Sequence, residues 1–207
     1  MKNVTRALVI VGVVCSIIIV FCLSKYFHKY YVITKFQKKI DEIVESGNYI
    51  YKEENFFTKY VNEDIIVTEH ANSEYYTVDN LKSDKDYEIS KENGIRETTI
   101  LIFAPMIDRF FIKDINKEAT IWNTIKDVTY AELTTENING VECYRLFCIG
   151  KYSRNDEVLY FDKETYMPVA YEYENGQMNY VEVTVGTVTD EDVSPEAIYE
   201  KMMESQD

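Results

Sequence analysis

The groups that could act in acid–base or nucleophilic catalysis are few, because the 207-residue chain has only two histidines. His28 closely follows a long apolar segment, so a Ser-His-Asp site could use only His70. The sequence contains no G-x-S-x-G, H-E-x-x-H, P-loop or G-x-G-x-x-G motif. His70 stands beside Glu69 on a predicted strand, which is typical of a surface residue. We therefore predict that the chain is not an enzyme; the catalytic alternative needs a polar cluster around His70.

Carboxylates are abundant, with 36 aspartates and glutamates, so some close pairs are expected without any function. Two acidic runs, residues 84–88 (DKDYE) and 190–192 (DED), could offer oxygen ligands to calcium. Neither run belongs to a full calcium-binding loop with its central glycine. Solvated charge is the simpler interpretation, and we predict no metal and no cofactor.

The four cysteines indicate neither a disulfide nor a zinc site. Cys143 and Cys148 lie five positions apart on one predicted strand, so they point to opposite faces, roughly 16 Å apart along it. A disulfide needs Cα atoms within about 7 Å. No C-x-x-C motif is present. We predict two buried or half-buried thiols here, while Cys15 and Cys22 belong to the apolar N-terminal run.

Apolar surface remains as the candidate for binding. A strongly curved sheet that does not close leaves a groove, which is a common site for an apolar ligand. The alternative is that the same side chains are ordinary core. The predicted apolar wall of the groove consists of Phe103, Phe110, Ile112, Trp122 and Ile125.

An uncharged run of 17 residues, Ala7–Leu23, predicts an N-terminal transmembrane anchor. It is longer than a usual signal-peptide core, and no A-x-A-like cleavage site follows it. Neither Cys15 nor Cys22 is preceded by the small residue that a lipidation site requires. Aromatic residues within 26–31 would form an interfacial belt. The predicted organisation is an anchor over residues 1–24, an amphipathic helix over 25–46, and a sheet domain over 47–207.

The charge distribution is strongly uneven. Residues 1–39 carry seven lysines or arginines and no acid, whereas the remainder has a net charge of −21. So acidic a domain would repel a phosphate backbone, and we predict no nucleic-acid partner. Basic residues flank the anchor on both sides, so the positive-inside rule is nearly balanced. Because long domains translocate largely regardless of charge, and exported bacterial proteins begin with a short basic head, we predict an extracytoplasmic domain.

The elements that must position these groups are mostly strands. A helical stripe over residues 25–46 (Val32, Phe36, Ile40, Ile43, Val44) is expected to pack on the sheet; the alternative is a coiled-coil seam, for which about three turns are short. Short β-type runs with polar joins indicate an antiparallel meander, and residues 118–128 predict a helix that lies over it. A final helix begins at Pro195 with Ser194 as its N-cap. The predicted fold class is α+β: a strongly curved antiparallel sheet, an unclosed half-barrel, with covering helices behind an N-terminal transmembrane helix.

The C-terminal half resembles the LolA/LolB family of bacterial lipoprotein carriers. The resemblance rests on a strand that ends at Asp162-Lys163-Glu164-Thr165, a next strand opened by Pro168, and an exit at Asp190-Glu191 followed by Pro195. It extends over about residues 46–200 and includes the germination-lipoprotein-like relatives of spore-forming bacteria. It implies a half-barrel that holds acyl chains or docks a protein. A retained anchor would prevent shuttling, which leaves lipid sensing or docking.

The sequence therefore predicts a membrane-anchored, extracytoplasmic binding protein. Its partners would be the bilayer, through residues 7–23, and either a lipid or acyl ligand or an extracytoplasmic protein held in the half-barrel groove. The alternative is a structural or regulatory protein–protein interaction module whose core is filled by its own side chains, with no small ligand.

Overall fold

The fold combines one long N-terminal helix, an antiparallel sheet and two C-terminal helices. A computed structural model describes residues 2–71, 75–83, 85–98, 110, 131–148, 158–173 and 175–204, with the side chains of the first helix described from residue 10. The helices and strands within these ranges are α1 (Lys2–Glu45), β1 (Asn48–Glu53), β2 (Phe57–Asn62), β3 (Ile65–His70), β4 (Tyr75–Asn80), β5 (Asp86–Ser90), β6 (Gly94–Thr98), β7 (Ala131–Ile138), β8 (Val141–Cys148), β9 (Val158–Asp162), β10 (Pro168–Glu172), β11 (Met178–Val185), α2 (Asp190–Val193) and α3 (Pro195–Glu204).

The eleven described strands form one sheet in the order β6-β5-β4-β3-β2-β1-β11-β10-β9-β8-β7. Every neighbouring pair is antiparallel, and the first and last strands meet at the centre, where Tyr49 pairs with Val185 and Glu53 with Val181. Within the described strands the sheet is unclosed, with β6 and β7 at its edges. The predicted α+β class and unclosed antiparallel sheet are confirmed. The predicted helix 118–128 lies outside the described residues.

Helix α1 runs without a break from the apolar segment into the amphipathic segment. The predicted stripe is buried at Val32, Phe36, Ile40 and Ile43, each at most 1% exposed, and these residues pack in one cluster with β-strand side chains. The prediction was wrong for Val44, which is 40% exposed. Each helical residue turns about 100° from the one before it, so Val44 points away from the sheet when Ile43 points toward it.

The N-terminal part of α1 is apolar and exposed. Its most apolar stretch has a mean hydropathy of 2.3, and none of that stretch is buried against the rest of the molecule. Ile17, Val20 and Phe21 are each at least 60% exposed. The helix is therefore long enough and apolar enough to cross a membrane, by length and composition.

The two faces of the sheet bury different helices. The face that packs against α1, here called the α1 face, includes Tyr49, Tyr51 and Val61. The opposite face, called the α3 face, packs Val67, Val78 and Ile89 against Val193 of α2 and against two residues of α3. Those two are the buried Ile198 and Met202.

The C-terminal helical segment is split where the sequence predicted a helix start. The Ser194 side chain accepts a hydrogen bond from the Ala197 amide at 3.4 Å, and Pro195 is the first residue of α3, as predicted. Asp192 accepts bonds from the amide and hydroxyl of Thr189, at 2.9 and 2.7 Å, which caps α2. Proline cannot supply the amide that a continuous helix would need, so α2 ends before it.

The β7–β8 turn has the backbone conformation that its two central residues favour. Asn139 and Gly140 have positive φ angles of 50° and 89°, as a two-residue primed hairpin turn requires. We expect Gly140→Ala to lower the free energy of unfolding by about 1 kcal/mol, because an L-residue is strained at that φ. Thermal unfolding followed by circular dichroism measures this. Gly140→Asn is the matched control and should lose less, because asparagine tolerates the left-handed region; equal losses would contradict the explanation.

Candidate functional site

Phe110 is the member of the predicted apolar wall that the structure describes. It is fully buried, and its ring lies 5.7 Å from that of Phe161 and 6.3 Å from that of Tyr171, in edge-to-face geometry. Phe110 therefore belongs to the α1 face. The other four predicted residues, Phe103, Ile112, Trp122 and Ile125, lie outside the described residues.

The aromatic part of the α1 face is packed by the chain's own helix. The Phe36 ring stacks on that of Phe161 with centroids 4.0 Å apart, and it meets Tyr144 edge-on at 5.7 Å. Tyr144 also stacks with Tyr166 at 6.3 Å. At this part of the sheet, the protein's own side chains therefore cover the aromatic surface.

A polar cluster follows on the same face, where β1 and β10 end. Glu53 is 4% exposed and accepts a hydrogen bond from the Tyr171 hydroxyl, which lies 3.4 Å from that of Tyr173. The second Glu53 oxygen, Oε2, and the side-chain nitrogen of the buried Asn179 have no hydrogen-bond partner in the described structure. Buried polar atoms usually have a partner, so these two are exceptions within the core of the sheet.

The sequence interpretation missed this cluster, although one signal for it was present. Tyr49, Tyr51 and Glu53 alternate along β1, so the period-2 rule puts all three on one face. The alternation thus predicts an inward-facing Glu53. It does not reveal Tyr171, because that contact depends on β1 and β10 both flanking β11.

Lys59 and His70 continue the polar row on β2 and β3. Lys59 is 3% exposed, and its ammonium lies 5.6 Å from the centre of the Phe57 ring. Partial burial, and then the positive charge of Lys59, lower the pKa of His70 below its ordinary value. The imidazole is exposed, as predicted, and lies 5.4 Å from the Tyr75 ring. A lowered pKa keeps His70 neutral at physiological pH.

Asp79 and Asp86 form a buried pair of like charges on β4 and β5. They are 1% and 8% exposed. Asp86 accepts a bond from the Asn80 amide at 3.2 Å, whereas Asp79 Oδ1 has no partner in the described structure. Burial, and then the charge of Asp86, raise the pKa of Asp79, although Lys59 opposes the shift. The folded protein therefore holds the Asp79 proton more tightly than the unfolded chain does.

We expect Asp79→Asn to raise the unfolding midpoint at neutral pH. When folding raises the pKa of an acid, the protein loses stability as the pH rises from the ordinary pKa of that acid to the raised value. The protein does not regain this stability at higher pH. Asparagine carries no charge, so the stability of the Asp79→Asn protein should vary less with pH over that window. Denaturant unfolding between pH 4 and 8 measures the difference.

Asp192→Asn is the matched control with the opposite sign. Burial raises the pKa of Asp192, but the bonds from Thr189 and the charge of Lys201 outweigh it, so the net shift is downward. Its stabilising effect is present above its ordinary pKa and disappears as the pH falls through the lowered value. Asp192→Asn should therefore lower the free energy of unfolding at neutral pH by about 1 kcal/mol, the usual cost of a lost helix cap. If both variants shift stability in the same direction, the burial explanation for Asp79 fails.

A groove of about 740 Å³ opens where β1, β2, β3 and β11 lie side by side. Two tyrosines on the α3 face, Tyr60 and Tyr76, donate to the Glu69 carboxylate at 2.9 and 2.8 Å, and Tyr60 and Glu69 both line the groove. Burial, and then the Glu69 carboxylate, raise the pKa of both tyrosines. Charged and polar side chains outnumber apolar ones in the groove, whose lining consists of Ile50, Lys52, Glu53, Asn55, Phe57, Thr58, Tyr60, Glu69, His70, Ala71, Glu182 and Thr184.

The remaining candidates have structural partners. Cys143 is a buried free thiol, and burial raises its pKa, with a further increase from the charge of Asp162. Of the acidic runs, Asp190 accepts a bond from the Asn62 amide group at 3.1 Å, and Asp192 caps α2. Among the described residues, no group of three or more histidines, cysteines and carboxylates could hold a metal ion.

Comparisons with known proteins add no family to this geometry: no protein-family model matches the sequence, and no curated protein matches it. The resemblance to LolA/LolB therefore stays a prediction from the residues. The features that bear on function are the long helix, the two faces of the sheet, and the groove.

Proposed function

We propose that the chain is a single-pass, membrane-anchored binding module that docks a partner protein on its open sheet. The observation that carries this proposal is the continuity of α1, which joins an exposed apolar stretch to a buried stripe on the sheet. A span followed directly by a packed stripe would hold the sheet at the bilayer surface. The module would bind and position its partner and would catalyse no reaction.

The proposed location of the sheet is outside the cytoplasm. Lys2 and Arg6 precede the apolar run, and a short basic head before such a run is common in exported bacterial proteins. Lys25, Lys29 and Lys35 follow it, so charge alone gives no clear preference. The sheet domain predicted over residues 47–207 is long, and long domains translocate largely regardless of charge.

The occupancy of the two surfaces favours docking of a protein over binding of an acyl chain: the α1 face is filled by α1, and the groove is open. An acyl site needs open apolar surface, whereas Phe36 stacks at 4.0 Å on Phe161 and occupies the aromatic part of the α1 face. The open groove has a mixed lining, with Lys52 directly opposite Glu182 and with Glu69 nearby. Mixed charges beside Ile50 and Tyr60 suit a polypeptide with its own charged and apolar side chains.

A lipid or acyl ligand is the second candidate, favoured by the buried aromatic cluster around Phe110 and Tyr171. In that case a chain would enter the α1 face beside the helix, in a half-barrel like the one that the LolA/LolB resemblance implies. Native mass spectrometry of the full chain in a mild detergent, with lipid extraction of the same sample, distinguishes the two. Tightly retained lipid would favour this second candidate.

The docking proposal is tested by charge reversal in the groove. Glu182 is exposed on β11 and lines the groove, whereas Glu164 is also exposed but lies in a turn outside the groove. We expect Glu182→Arg to abolish cross-linking of a stoichiometric partner in membranes of the source organism, and Glu164→Arg to leave it unchanged. Equal cross-linking in both variants, or the absence of any stoichiometric partner, would contradict the proposal.

A further inference from the structure

The direction of α1 across the sheet follows from its contacts. α1 ends beside β1, to which a short turn connects it. Toward its N-terminus, Phe36 contacts Phe161 of β9, and His28 lies 6.5 Å from the ring of Tyr144 on β8. Lys29 then donates to the Ala131 carbonyl of β7 at 2.7 Å. The helix therefore crosses the strands from the centre of the sheet to its β7 edge.

Helix and sheet dimensions agree with this path. From Ile43 to Lys29 the helix rises about 21 Å, at about 1.5 Å per residue. From β1 to β7 there are five strand spacings of about 4.8 Å, or about 24 Å. The two lengths match, so the axis of α1 runs nearly perpendicular to the strands. Strands on this half of the sheet must then run roughly parallel to any bilayer that α1 crosses upright.

The β7 edge lies close to the end of the apolar segment. Lys29 lies only six positions after Leu23, the last residue of the apolar run, which is a rise of about 9 Å along the helix. Tyr26 already packs against the sheet core, closer still to the apolar run. The headgroup layer is about 5–7 Å deep on each side of the hydrocarbon. No length of extended linker is available to hold the sheet away from the membrane.

We propose that the β7 edge of the sheet rests against the lipid headgroups, with β7 parallel to the bilayer plane. This inference rests on the proposed membrane anchor. The exposed side chains of β7 are hydroxyl, amide and carboxylate groups, at Glu132, Thr134, Thr135, Glu136 and Asn137. Lys29 of α1 donates to the Ala131 carbonyl at the start of β7, and Arg145 of β8 lies 3.7 Å from Glu136, so the surface carries both signs of charge. That combination fits the phosphate and ammonium groups of zwitterionic phospholipids.

The test measures how strongly a nitroxide on the lipid headgroup quenches the fluorescence of a probe in the protein. The vesicles consist of phosphatidylcholine and phosphatidylethanolamine and contain the nitroxide-labelled lipid. A genetically encoded fluorescent amino acid is placed in the full chain at one position at a time, without using the native cysteines. Thr134 and Thr135 report the two faces of β7, and both are exposed. Phe27, 63% exposed near the apolar run, reports insertion of α1. Glu45, exposed at the far end of α1, is the distant control.

We expect quenching at Thr134 and Thr135 to be several-fold greater than at Glu45, because Glu45 lies about 33 Å along the helix from Leu23. Strong quenching at Phe27 without quenching at either β7 position would overturn the proposal while leaving the anchor intact. Absence of quenching at Phe27 as well would overturn the anchor and, with it, the placement of β7.

Discussion

Phe36→Ala is expected to lower the free energy of unfolding by about 3–5 kcal/mol, the usual cost of removing a buried phenylalanine. Phe36 is 0% exposed, stacks on Phe161 at 4.0 Å and meets Tyr144 at 5.7 Å. Phe161 and Tyr144 belong to β9 and β8, whose positions are fixed by sheet pairing, so the cavity cannot easily collapse. Denaturant unfolding of the full chain in detergent micelles, followed by the near-ultraviolet circular dichroism of the tyrosines, measures the loss.

Val44→Ala is the matched control on the same helix. Val44 is 40% exposed and points away from the sheet, so its truncation should change stability by about 0.5 kcal/mol or less. The comparison separates loss of packing from any general effect on helix formation. A Phe36→Ala protein as stable as the Val44→Ala protein would mean that α1 is not part of the folded core.

Tyr171→Phe is expected to cost about 3 kcal/mol, because it removes the donor to a buried carboxylate. Glu53 is 4% exposed, and its other oxygen already has no partner in the described structure. The removed hydroxyl therefore leaves the Glu53 carboxylate without the hydrogen bond from Tyr171. The same unfolding measurement applies, with Tyr87→Phe as a control on the α3 face, outside this cluster.

The double variant Glu53→Met with Tyr171→Phe sharpens this prediction. Replacement of both partners by apolar groups of similar size removes the buried charge together with its donor, which is often nearly neutral for stability. We therefore expect the double variant to be more stable than Tyr171→Phe alone. An additive loss would show that the hydroxyl contributes through packing rather than through Glu53.

Local chemistry predicted the individual strands well. Short β-type runs such as those of β1 and β5 form strands as predicted, because alternating aromatic and polar residues end at turns with clear signals. The β7–β8 turn follows from Asn139-Gly140, and the start of α3 follows from Ser194 and Pro195. In each case the determining interactions lie within a few residues of one another, so the sequence pattern contains them.

Contacts between distant parts of the chain could not be predicted in the same way. The pairing of Tyr49 with Val185 brings together two strands at opposite ends of the domain, and many other antiparallel orders would satisfy the same alternation. The polar cluster at Glu53 and Tyr171 depends on that order, so only its β1 half was visible in the pattern. Likewise, that Ile43 is buried and Val44 is exposed depends on which side of α1 meets the sheet.

The central position of β1 and β11 has a consequence for how the molecule forms. β1 to β6 pair in sequence order, and so do β7 to β11, so each half can assemble from local hairpins. The seam between the halves closes a loop of most of the domain, which is entropically costly, and β11 is synthesised after all the other strands. In pulsed hydrogen exchange we expect the β4–β5 and β7–β8 amides to gain protection before the seam amides of Ile50 and Glu182, which lie in hydrogen-bonded pairs between β1 and β11; simultaneous protection would indicate one concerted step. The middle of the sheet, rather than its edges, is then the last part of the protein to fold.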